Sequence, residues 1–84
     1  MLLDKTYHAV CVQVARLFQE ERKRQGLSKY AVADRSGLSE QMIGYVERGM
    51  RNPSLETVLR MAAALELDLG DIIKRAYKAA AKSK

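Results

Sequence analysis

Two helix-length segments joined at a glycine constrain this chain more than any other feature. They lie in LSKYAVADRSGLSEQMIGYVERGMR, Leu27 to Arg51. Ser28 is a good N-cap for a helix through about Ser36, because its hydroxyl can accept from a backbone N–H left over in the first turn. Val32 and Ala33 then face inward, with Lys29, Tyr30 and Arg35 outward. Gly37 permits the left-handed backbone of a tight turn, Leu38 plugs the space beneath it, and Ser39 caps the next helix.

That next helix, Glu40 to about Arg48, resolves when residues are placed at about 100° each around its axis. Gln41, Gly44, Tyr45 and Arg48 share one side with Glu40 beside them, and Ile43 and Val46 take the other. Glu47 projects near Ile43, toward the core, where a carboxylate needs a partner. Gly49 ends the helix. A short helix with one polar outward face suits insertion into a DNA groove.

The flanks are also helical in pattern. Residues 5–25 place Tyr7, Val10, Cys11, Val14, Leu17 and Phe18 on one face, with Asp4 as cap and Gly26 as stop. Glu20 stands four residues before Arg24, the spacing of a solvated surface pair. After the loop Met50 to Pro53, Ser54 caps a fourth helix with Leu55, Val58, Leu59, Ala62 and Leu65 inward. Asp68 caps a fifth with Leu69, Ile72, Ile73, Ala76 and Tyr77 on its apolar stripe. Without strand alternation, repeats or a Gly/Ser linker, the expectation is an all-α domain spanning residues 1–84. Its helix-turn-helix unit occupies 28–48, and a basic C-terminal tail occupies 78–84.

Composition narrows the chemistry. At 84 residues there is one modest core and little room for a catalytic cleft, so an enzyme is not expected. One cysteine, Cys11, and one histidine, His8, supply neither a disulfide nor a metal cage, and no cofactor is implied. Cys11 reads as a small core residue and His8 as a surface one; Met42, Met50 and Met61 read as packing or loop residues. No run reaches the roughly 18 apolar residues of a membrane span, and the opening MLLDKTYHAVCV makes a poor signal peptide. A cytoplasmic protein is expected, nucleoid-associated when DNA-bound. The net charge of +5 is a tail effect: residues 1–73 carry 10 basic against 10 acidic side chains. Within 22–51 the balance is +4, and this local excess is the useful signal.

The chain resembles the Cro and phage-repressor (XRE) class of helix-turn-helix domains. The resemblance is carried by Arg22, Leu27-Ser28, Val32-Ala33, Gly37-Leu38-Ser39, Ile43, Glu47-Arg48-Gly49, Asn52-Pro53-Ser54-Leu55-Glu56-Thr57 and Ala63-Ala64-Leu65, across residues 17–73. In length and texture it is also similar to the controller proteins of restriction-modification systems. The resemblance implies a five-helix, lambda-repressor-like domain in which Arg22 pairs with Glu47. It implies base reading by Glu40, Gln41 and Tyr45, with Met42 and Gly44 adjoining; Glu40 could also exclude some sequences, or orient Arg48 or Lys29. Gly44 would leave the centre of the face bare for close approach to DNA. Phosphate contacts fall to Ser28 and Lys29 at a helix N-terminus, with Ser39, Arg35, Arg48, Arg51 and Asn52 around the groove.

Glu21 stands where an aliphatic residue is frequent in that class, and the first helix is long. Its face of Tyr7, Val10, Cys11 and Val14 could pack on the fifth helix of the same chain or help cover a dimer interface. Spare apolar surface and the resemblance together imply a homodimer built on Leu67, Leu69, Ile73 and Tyr77. The expected function is a transcriptional regulator on a palindromic double-stranded operator, with no small-molecule effector evident. The alternative is a protein-interaction module or antitoxin of the same fold.

Overall fold

Three serines and an aspartate set the starts of the last four helices. In the computed structural model, which describes residues 4–49 and 52–82, the helices are α1 (Asp4–Arg24), α2 (Lys29–Ser36), α3 (Glu40–Arg48), α4 (Leu55–Ala64) and α5 (Leu69–Lys82). Ser28 Oγ accepts from Ala31 N at 3.0 Å, Ser39 Oγ from Met42 N at 3.0 Å and Ser54 Oγ from Thr57 N at 3.1 Å. Asp68 Oδ1 accepts from Gly70 N at 2.7 Å. Each bond satisfies a donor that the helix itself cannot. Asp4, expected as a cap, is already helical.

The expected five-helix all-α architecture is present, with no strand among the described residues. Phe18, Val32, Ile43, Met61 and Leu65, from α1 to the end of α4, are sealed in the main core. A second cluster joins Val10 to Ala76 and Ala80, where α1 lies along α5 and small residues let the helices approach. Residues 78–82, expected as a tail, continue α5, and Ala80 is buried. Ser83 and Lys84, the end of that expected tail, lie outside the described residues.

Several inward assignments are corrected. Cys11, expected in the core, is exposed. On α4, Leu55 is 69% and Leu59 49% exposed. The inward stripe is instead Val58, Met61, Ala62 and Leu65, rotated on the helix and filled by the adaptable Met61. The turn after α4 closes through a left-handed Glu66 at φ 57°, a conformation its residue type does not announce.

The expected Glu20–Arg24 pair is also replaced. Glu20 accepts from Arg16 Nε at 3.0 Å, while Arg24 Nη2 turns to Glu21 at 2.7 Å. Glu21 is buried, with Arg75 of α5 3.9 Å away. The hydrogen bond from Arg24, opposed by burial, holds its carboxyl below the ordinary 4.5. A carboxylate with a depressed folded pKa stabilises the fold above its unfolded value, and that contribution is lost as pH falls below it. Thermal melts between about pH 5 and pH 3 should therefore show a shallower loss of stability for Glu21→Gln than for the wild type. Equal slopes would assign the acid sensitivity elsewhere.

Candidate nucleic-acid interface

The α2–turn–α3 unit is held from behind by two arginines. Arg22 Nε donates to Glu47 Oε2 at 2.6 Å and Nη2 to Oε1 at 3.0 Å, a two-pronged pair linking the end of α1 to the end of α3. Its Nη1 donates to Leu27 O at 2.9 Å, so the same side chain fixes the approach to α2. The bond to Glu47 raises the Arg22 pKa against the opposing effect of burial. The expected Arg22–Glu47 partnership is thus present in the fold.

The second arginine, Arg60 of α4, carries no sequence signal for its role. Its Nη1 donates to Ser36 O at 3.2 Å, putting positive charge on the carbonyl end of α2. Its spacing from Glu56 suggests only a surface pair, which is present at 2.7 Å. At the turn itself Gly37 has φ 76°, and a Cβ there would stand 3.2 Å from Arg60 Nη1.

With its back fixed, α3 turns a compact face outward. Glu40 and Gln41 are exposed and Tyr45 half-buried. Gln41 Nε2 donates to Tyr45 Oη at 2.8 Å. Met42, expected beside the reading set, is half-buried and packs against the core. Gly44 is not bare: it is buried, with Arg48 Nη1 3.1 Å from the place of a Cβ. Arg48 therefore folds back along α3, its Cζ 5.8 Å from the Tyr45 ring centroid.

Of the residues expected at phosphates, Ser28, Arg35, Ser39 and Asn52 are exposed and Lys29 is half-buried. Ser28 and Ser39 use oxygen lone pairs as caps, which leaves each O–H to donate. Arg51 and Met50 lie outside the described residues.

The residues expected at a dimer contact divide. Leu67 and Leu69 are half-buried and pack on the core, whereas Ile73 and Tyr77 are exposed. Leu69, Ile73 and Tyr77 border a groove of about 520 Å³ shared with Tyr7, Leu55 and Val58. Among the described residues there is no group of three or more metal-ligating side chains, and no helix is long and apolar enough to cross a membrane.

Comparison with known proteins agrees with this architecture. The sequence model of the helix-turn-helix family HTH_3 matches residues 18–72. The uncharacterized HTH-type transcriptional regulator y4dJ of Sinorhizobium fredii is 42% identical over 48 residues, 57% of this chain and 62% of that protein. The HTH-type transcriptional regulator SlrR of Bacillus subtilis is 33% identical over 60 residues, 70% of this chain and 40% of that protein. The chain thus spans less than two thirds of either relative. The crystal structure of the restriction-modification controller protein C.AhdI from Aeromonas hydrophila superposes with a TM-score of 0.69 at 37% identity, over 74% of this chain and 94% of that one. A mutant of the controller protein C.Esp1396I shares the fold with a TM-score of 0.80 at 20% identity, over 89% of this chain and 97% of that one.

Proposed function

The chain belongs to the helix-turn-helix family, and from that premise we propose that it is a DNA-binding transcriptional regulator rather than an enzyme, reading double-stranded DNA with α3 in the major groove. The observation that carries this reading is the polar face of α3, backed by buried Arg22 and Glu47 and flanked by exposed donors suited to phosphates. Gln41 spends one amide N–H on Tyr45. Its second N–H and its carbonyl suit adenine N7 and N6. Glu40 accepts from cytosine N4, and Tyr45 offers its ring edge to a thymine methyl. Ser28, Lys29, Arg35, Ser39, Arg51 and Asn52 serve the phosphates.

A homodimer on a palindrome fits the apolar groove beside Ile73 and Tyr77. Two-fold symmetry then places two α3 helices in successive major grooves about 34 Å apart. The likeness to C.AhdI, a restriction-modification controller protein, supports a controlling role of that kind for this chain.

Selection of bound sequences from a random duplex pool tests the proposal. Enrichment of a palindrome with half-sites one helical turn apart is expected. Lys29, Arg35 and Arg51 on each of two protomers would give a log-log salt slope of roughly −5. Failure to retain any duplex at low salt would sink the DNA reading and favour a protein partner for the same face.

A further inference from the structure

The Arg48 guanidinium lies away from the C-terminal edge of α3. In a helix a long side chain leans toward the N-terminus, over the residue four before it. Here that residue is Gly44, and a Cβ built there would stand 3.1 Å from Arg48 Nη1 and 3.6 Å from its Cζ. The absent side chain is therefore the seat of the guanidinium. Tyr45 forms a second wall, its ring centroid 5.8 Å from Cζ, and Gln41 holds the tyrosine hydroxyl at 2.8 Å. The charged fork thus sits at mid-helix, among the side chains of the outward face.

Resting on the major-groove reading above, we propose that Arg48 is a specificity-determining residue that reads a guanine, with Gly44 and Tyr45 as its positioning residues. Guanine presents O6 and N7 as paired acceptors in the major groove, which a planar guanidinium matches with two N–H donors. A lysine at the same position keeps the charge and loses the fork. Gly44 weakens the helix relative to alanine, and a Cβ there would displace the fork by about a few tenths of an ångström from its seat.

The test compares the wild type, Arg48→Lys, Arg48→Ala and Gly44→Ala in selection from a random duplex pool, with binding measured across a salt series. Arg48→Lys should keep the salt slope and lose roughly ten- to hundredfold of the preference for guanine at one position in each half-site, with other positions unchanged. Gly44→Ala should melt no lower than the wild type, because only the flexible end of Arg48 must move. It should nevertheless lose preference at that same position. Retention of the guanine preference by Arg48→Lys overturns the inference. So does a uniform loss of affinity in Arg48→Ala with a slope shallower by about 1.8, about 0.9 for each protomer, the signature of a phosphate clamp. A wild type that enriches no sequence overturns the major-groove reading together with this one, whereas a wild type with a defined preference isolates the role of Arg48.

Discussion

Arg22→Ala is expected to cost about 3–5 kcal/mol of folding stability. The Glu47 side chain is 1% exposed and that of Arg22 10%, so removing the cation strands a buried carboxylate. The substitution also removes the donor to Leu27 O at the start of the α2–α3 unit. For a chain of this length each kcal/mol moves the midpoint by about 4–8 °C, so the variant should melt well over ~10 °C below the wild type. Glu47→Gln should also destabilise, since it keeps the shape and leaves the Arg22 charge without its counter-ion. Replacing both partners with apolar residues of similar volume should recover much of the loss, because no buried charge is then stranded. Circular dichroism melts check all three variants. An Arg22→Ala midpoint indistinguishable from that of the wild type would show that water replaces the pair without penalty.

Ile73→Glu should leave the monomer folded and sharply weaken operator binding. Ile73 and Tyr77 are exposed on α5, beside a groove bordered by Leu55 and Tyr7, so a carboxylate there is solvated in the isolated chain. In the proposed dimer it would be buried against apolar side chains without a partner. Sedimentation should then report monomer at concentrations where the wild type is dimeric. Loss of the linked second half-site should lower affinity for a palindrome by about a hundredfold or more. An unchanged sedimentation coefficient would exclude this face from the interface, and a wild type that is monomeric at micromolar concentration would remove the dimer itself.

Legibility follows the range of the interaction that decides each feature. The starts of α2, α3 and α4 are readable because a serine hydroxyl acts on a donor three residues away. The turn at Gly37 is readable for the same local reason. The α4 stripe is not, because Leu55, Val58, Leu59 and Ala62 have the spacing of a buried face. Only packing on neighbouring helices shows that Met61 belongs beneath, beside the correctly expected Leu65, and Leu55 and Leu59 outside. Cys11 misleads similarly: its spacing matches an inward face that the small Ala76 and Ala80 interface with α1 does not extend over.

At the candidate site, helical geometry identifies the outward face, and the family resemblance supplies the Arg22–Glu47 partnership across 25 residues. Neither reveals that Arg60 reaches Ser36, or that Arg48 covers Gly44. Those facts depend on side-chain conformation and on a neighbouring helix.

The anchorage of α3 has a consequence for how such a protein can change over generations. Ser39 and Gly49 hold its two ends, and Ile43, Val46 and Glu47 hold its inner side. Glu40 and Gln41 stand clear of all of these. Replacements at such positions can alter a surface preference while the internal supports remain in place. A lineage of such proteins can therefore diversify its targets through small successive steps, each passing through a folded intermediate.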